Sequence, residues 1–154
     1  MSQIDRIATP FASLGPIGKL PAPGTWGSLI VAVLAPFLFM PAPLTARLLI
    51  LVLLFLSGSF ACDIVERNLG QKDPSQCIID EVLGQWVTYC FFAALTPFQF
   101  LLGLLLFRAF DIWKPQPIRA SENWLEGGLG VMLDDVLAGV FAAIALWILI
   151  TIGL

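Results

Sequence analysis

The segment 107–139, FRAFDIWKPQPIRASENWLEGGLGVMLDDVLAG, is a polar island between two long apolar runs, and how it is read decides the fold. It carries Arg108, Asp111, Lys114, Arg119, Glu122, Glu126, Asp134 and Asp135 in a chain of which only 12% is charged. Arg108, Asp111 and Lys114 are spaced by three, so a helix continuing from the apolar run before them sets all three along one side of its last turns. Pro115 stops that helix. After Pro117 and Ile118 the chain turns polar, and a hinge at Gly127, Gly128 and Gly130 leads to paired aspartates at the mouth of the last apolar run. Cations and loop N–H groups suit a phosphate, and hard carboxylate oxygens suit a divalent metal.

Working outward, the composition sets the class. With 154 residues there is room for one domain, and a 58% hydrophobic content lies well above that of soluble proteins. A mean hydropathy of +0.91 says the same, and the chain reads as a membrane protein. The formal charge of -3 argues against a nucleic-acid partner, which needs a basic surplus. Histidine is absent, which excludes histidine-dependent phosphatases, Ser-His-Asp hydrolases and histidine metal sites. Cys62, Cys77 and Cys90 are odd in number and lack CxxC spacing, so they read as reduced packing residues. Cys62 also misses the loop spacing to Arg67 that a cysteine phosphatase requires.

The amino terminus, up to Ala12, reads as a short helix or arm on the membrane surface. Residues 15–29, GPIGKLPAPGTWGSL, form a Gly/Pro-rich loop with Thr25 or Ser28 as the N-cap of an apolar helix. This is an ordinary loop before a helix or, functionally, an anion cradle built from free N–H groups, two glycines and Lys19. It is not a Walker A loop, because the spacing is short and no Ser or Thr follows the lysine.

Apolar runs extend over about 29–40, 44–61, 82–106 and 136–154. The first is short for a span of about 20 residues, and Thr96-Pro97 interrupts the third. Lys19, then Arg67 and Lys72, then Arg108, Lys114 and Arg119 form three cation clusters, which the positive-inside rule sets on the cytoplasmic side. A single kinked span over 82–106 would put the third cluster outside; a hairpin broken at Thr96-Pro97 keeps it inside and is the preferred reading. The fold class is therefore all-α: a polytopic bundle of membrane helices, some short or re-entrant, with a polar site on the cytoplasmic face.

A second island, CDIVERNLGQKDPSQCIIDEVLGQW at 62–86, puts Asp63 and Glu66 on one helix face, makes a turn at Asp73-Pro74-Ser75, and opens the next helix with Asp80 and Glu81. Acids in a first turn complement the helix dipole and need no function. The recurrence of an acidic pair at Asp134 and Asp135 favours a shared metal, since clustered carboxylates repel unless a cation neutralises them.

With these residues in place, the chain resembles the bacterial phosphatidylglycerophosphatase A family. The likeness rests on GKLPAPGTWGSL at 18–29, IIDEVLGQW at 78–86, and FRAFDIWKPQPIR with GGLGVMLDDVLAG in 107–139. It implies a multi-pass enzyme of the bacterial inner membrane, its site facing the cytoplasm. The implied reaction is Mg²⁺-dependent hydrolysis of the terminal phosphate of phosphatidylglycerophosphate to phosphatidylglycerol, within one lipid-phosphatase domain. Gln116 stands where members often have an aromatic, and Glu122 where an aspartate is usual; neither removes a charge or a candidate ligand.

The candidate metal ligands are Asp80, Glu81, Asp134 and Asp135, with Asp63 or Glu66 completing the set. The phosphate clamp is Lys19, Arg108 and Lys114, helped by N–H groups at Gly24 and Thr25. Asp80, Asp135 and Asp111 are the residues expected at the chemistry, Asp111 either orienting Arg108 or Lys114 or binding metal itself. The nucleophile is a water or an aspartate, and the missing DxDx(T/V) pattern favours water. Two rivals use similar residues. A lipid phosphotransferase would transfer phosphate rather than release it, and an ion-binding membrane subunit would carry its charges in mid-span.

Overall fold

The computed structural model describes residues 3–154 and contains helices without any strand among the described residues. Helix α1 (Gln3–Ala12) lies against α3, and a 3₁₀ turn (Gly15–Lys19) leads to α2 (Pro23–Leu38). Next come α3 (Leu44–Leu69), α4 (Ile79–Tyr89), α5 (Pro97–Trp113), the short α6 (Ile118–Ser121) and α7 (Gly128–Thr151). At 26 and 24 residues, α3 and α7 are long and apolar enough to cross a membrane. With a rise of about 1.5 Å per residue they reach roughly 39 and 36 Å, against a hydrocarbon core of about 30 Å. The 16 residues of α2 and 11 of α4 fall short of that thickness.

The interrupted apolar run is a hairpin. Helix α4 ends at Tyr89, and α5 starts at Pro97 behind a capping box in which the Thr96 hydroxyl accepts from the Gln99 N–H while the Gln99 side chain accepts from the Thr96 N–H. Proline at the first helical position loses no helical hydrogen bond there, so this sequence begins a helix where it would have kinked one. Both polar ends return to one side: Glu81 at the start of α4 lies 3.6 Å from Arg108 near the end of α5.

At the opposite end Arg47 is buried, a cation that the three clusters did not include. Its guanidinium donates to the carbonyls of Met40, Ala42, Cys90 and Phe92, tying the α2–α3 turn to the α4–α5 turn. A buried guanidinium is retained only when its fork of donors is filled, and here backbone oxygens fill it.

Three expectations change. Helix α2 starts at Pro23 with Ala22 as its cap residue, so neither Thr25 nor Ser28 is the N-cap; proline already holds the helical φ at that position. Cys62 and Cys77 form a disulfide rather than standing reduced, because α3 and the segment entering α4 bring their Cα atoms within 6.4 Å, a bridging distance. Cys90 is a free, buried packing residue as expected. Finally, the glycine-rich 127–130 stretch is not a loop ahead of the helix. Only Gly127, with φ of +60°, precedes α7; Gly128 starts it, and the Ser59 carbonyl, 2.1 Å from where a Cβ would sit, requires glycine there.

Candidate active site

Because α7 starts at Gly128, Asp134 and Asp135 lie almost two turns inside it rather than in its first turn. Capping the dipole therefore does not account for them, since that effect fades within the first turn. Both are buried, and Asp135 faces the start of α4. One ligand oxygen each from Asp80, Glu81 and Asp135 come within 4.8 Å of one another. Glycines set this convergence: a Cβ at Gly84 of α4 would lie 2.6 Å from the Asp135 carbonyl, and one at Gly139 of α7 would lie 2.4 Å from the Gly84 carbonyl. Only helices without side chains at these points approach closely enough.

These carboxylates are not satisfied by the protein. Asp80 Oδ1, Glu81 Oε2 and Asp135 Oδ2 are buried without a hydrogen-bond partner. Burial pushes the Asp80 carboxyl well above its usual range, with the neighbouring Glu81 charge adding to it. Burial likewise raises Glu81 to about 8, with Asp135 and Asp111 contributing. Orphaned, mutually repelling carboxylate oxygens are the donor set a hard divalent cation requires, so the residues fit a metal such as Mg²⁺.

The cations lie against these acids. Arg108 pairs with Asp111 at 2.5 Å and with Glu81 at 3.6 Å, and it donates to the Ser28 hydroxyl at 3.4 Å. Its Nε is buried and unpartnered, a donor still available to an anion. Lys114 is the residue that ends α5, with φ of +46°, and that left-handed step turns its ammonium onto Asp134 at 2.5 Å and Glu122 at 2.6 Å. These bonds hold its pKa above the ordinary lysine value against the opposing effect of burial. It is fully charged at neutral pH.

A pocket of about 300 Å³ joins the two sets, lined by Gly24, Thr25, Asp73, Asp80, Glu81, Arg108, Asp111, Lys114, Asp134 and Asp135, with Ser75 and Cys77 in its wall. Thr25 offers its hydroxyl, since its N–H donates to the Ala22 carbonyl at 3.0 Å. Gly24 is small for a reason: a Cβ there would meet Glu81 Oε1 at 1.9 Å.

Three candidates lie elsewhere. Lys19 is exposed on the 3₁₀ turn and does not line the pocket. Asp63 accepts from the Gly128 N–H at 2.7 Å and caps α7. Glu66 accepts from the Asp73 N–H at 2.8 Å and holds the loop that carries Asp73. Asp73 itself read only as a turn residue. In the fold it has φ of +46°, and burial raises its pKa, partly offset by Lys114. Its adjacency to Pro74 and Ser75 signals a turn, and nothing local distinguishes a turn acid from a pocket acid.

The family model for Phosphatidylglycerophosphatase A matches residues 10–150. Phosphatidylglycerophosphatase A of Haemophilus influenzae is 37% identical over 127 residues, 82% of this chain and 78% of that protein. The Escherichia coli protein of the same name is 33% identical over 123 residues, covering 79% and 70%. A Bacteroides thetaiotaomicron protein provisionally named a phosphatidylinositol-3-phosphatase is 36% identical over 138 residues, covering 83% and 86%. No solved structure matches. The matched residues contain every acid and cation of the pocket, and the chain belongs to the phosphatidylglycerophosphatase A family of phosphatases.

Proposed function

We propose that this chain hydrolyses the terminal phosphomonoester of phosphatidylglycerophosphate in a Mg²⁺-dependent reaction at the cytoplasmic face of a bacterial inner membrane. The observation that carries the reading is the juxtaposition of unsatisfied buried carboxylate oxygens on Asp80, Glu81 and Asp135 with the unpartnered Arg108 Nε in one pocket. The names of the Haemophilus and Escherichia relatives supply the headgroup. Exposed Trp26, Trp113 and Trp124 surround the polar end, which suits a membrane–water interface.

Asp80, Glu81 and Asp135 would hold the metal, with Asp134 beside them oriented by Lys114. Bound Mg²⁺ supplies charge neutralisation on the phosphoryl group and Lewis-acid polarisation. Arg108 offers its free Nε to a phosphate oxygen and stays aimed by Asp111 and Ser28. Lys114, held by Asp134, contributes a fixed positive charge, and Thr25 a hydroxyl, to the pocket lining. Holding these dipoles before the substrate arrives lowers the barrier, because phosphoryl transfer depends mainly on position and charge stabilisation. The attacking group is water: its oxygen bonds to phosphorus as the bond to the glycerol oxygen breaks, and the proton it gives up passes through the acidic pocket to that leaving oxygen.

The test is release of inorganic phosphate by purified protein in detergent, with phosphatidylglycerophosphate, phosphatidic acid and phosphatidylinositol 3-phosphate as parallel substrates, with and without Mg²⁺. Fastest release from the first, abolished by chelation, is expected. No phosphate from any of the three with Mg²⁺ present overturns the reading; faster release from the inositol lipid reassigns the headgroup.

A further inference from the structure

We propose that the groove between α2 and α5 is an acyl-chain track of the lipid substrate, so that the lipid enters the polar pocket sideways between these two helices; this rests on the lipid-phosphomonoesterase reading. The two helices change character along a single face. On α2, Thr25 lines the polar pocket, and Leu29, Ala32, Val33 and Phe37 follow it at helical spacing. On α5, reading backwards from Arg108, Leu104 and Leu101 follow in the same way. Residues three or four apart share a helix face, so each stripe runs without interruption from the phosphate end into the apolar zone. Together they line a groove of about 460 Å³. From Leu29 to Phe37 it extends roughly 12 Å at the helical rise of about 1.5 Å per residue.

Helices α4 and α7 touch at Gly84 and Gly139, where even a methyl group would clash with backbone, which closes the seam between them at that point. Helix α3 contributes no residue to the pocket lining. Between α2 and α5 the floor is the small, buried Ala32, whereas Val33, Phe37 and Leu101 stand more than half exposed at the edges. The groove begins about one helical turn from Arg108 and Thr25. Its order, anion site and then apolar channel, matches a phosphate headgroup joined to a hydrocarbon chain. A free phosphate ester would need only the first part.

Two variants and a probe test the assignment. Val33→Trp adds bulk at an exposed edge, Ala32→Phe fills the floor, and Val52→Trp on the exposed face of α3 is the control. With long-chain phosphatidylglycerophosphate, Val33→Trp should lower kcat/KM by roughly ten-fold or more, mainly through KM, the usual size for a blocked hydrophobic subsite. With a water-soluble short-chain analogue, it should match the unmodified protein. Ala32→Phe should do the same if it folds, and Val52→Trp should change neither substrate. Independently, phosphatidic acid carrying a diazirine at mid-chain should crosslink the unmodified protein on α2 and α5. Equal losses on both substrates, unchanged long-chain kinetics in Val33→Trp, or crosslinks confined to α3 and α7 overturn the track. Absence of phosphate release from every lipid fails the hydrolase reading instead, and crosslinking still decides the groove.

Discussion

Replacing Asp135 by asparagine removes one charge from the acidic trio while keeping its shape, and the structure sets the sign of two effects. Ligand oxygens of Asp80, Glu81 and Asp135 lie within 4.8 Å of one another. At an effective dielectric of about 20, two carboxylates at that separation repel by roughly 3 kcal/mol. Three such pairs sum to about 10 kcal/mol, comparable to the whole folding stability of a domain at roughly 5–15 kcal/mol. Arg108, 3.6 Å from Glu81, offsets only part of this repulsion, so the trio takes up protons or a further cation. Asp135→Asn removes two of the three repulsions, and the metal-free variant should unfold at a higher temperature than the metal-free parent. The gain is a fraction of the Coulomb sum, because protonation already relieves part of it. With Mg²⁺ the order should reverse. A site filled to 100 times its Kd stabilises the parent by about 2.7 kcal/mol, and the variant should lose most of that shift. Turnover should fall roughly 10²-fold or more, since ligand loss weakens both metal binding and charge neutralisation in the transition state. Thermal unfolding and phosphate release, each measured across a Mg²⁺ titration, report both effects. Near-normal turnover with an unchanged Mg²⁺ response would refute the shared metal site, as would a metal-free variant less stable than the parent.

Asp80→Asn should behave in the same way, and the double variant should be little worse than either single one, because both disable one unit; losses that multiply would separate the two acids. Asp63→Ala should lower stability by about 1 kcal/mol through loss of the cap on the Gly128 N–H, leaving the Mg²⁺ dependence of turnover as it was; a shifted Mg²⁺ requirement would instead make Asp63 a ligand. Gly24→Ala drives a methyl group into Glu81 Oε1, and activity should fall about ten-fold or more, at the scale of a displaced metal ligand, with far-ultraviolet circular dichroism unchanged; full activity would show that Glu81 need not hold that position. The last expectation concerns pH. Burial raises Glu81 from 4.5 to about 8, so the metal-free folded state keeps a proton that the unfolded chain releases. That contribution to stability is complete below about 4.5 and is lost as pH rises through about 8. Saturating Mg²⁺ should flatten the dependence; metal-free stability that rises across this window would contradict it.

What the sequence alone determined follows from local and additive properties. Hydropathy and run length specify a helical bundle with long apolar helices, and Thr96-Pro97 favours a break in the third run over a kink, because a capping residue followed by proline suits a helix start; the structure decides for the break. The two polar islands, and the acids and cations within them, are equally legible, since charge is rare in such a chain and concentrates at helix ends. Which of those charges meet is another matter. Asp63 and Glu66 share a helix face just as expected, yet their oxygens go to the N–H groups of Gly128 and Asp73. Asp80, Glu81 and Asp135 each keep one oxygen unsatisfied, and a ligand oxygen of each lies within 4.8 Å of the others. The difference arises from the register of α4 on α7, which glycine contacts at Gly84 and Gly139 set across more than fifty residues of chain. The same packing makes Asp73 a wall of the pocket, leaves Lys19 outside it, and brings Cys62 to Cys77. A helix propensity or a turn signal depends on a few neighbours in sequence, whereas the meeting of two carboxylates depends on how closely and at what offset two helices pack, and only the tertiary structure decides that.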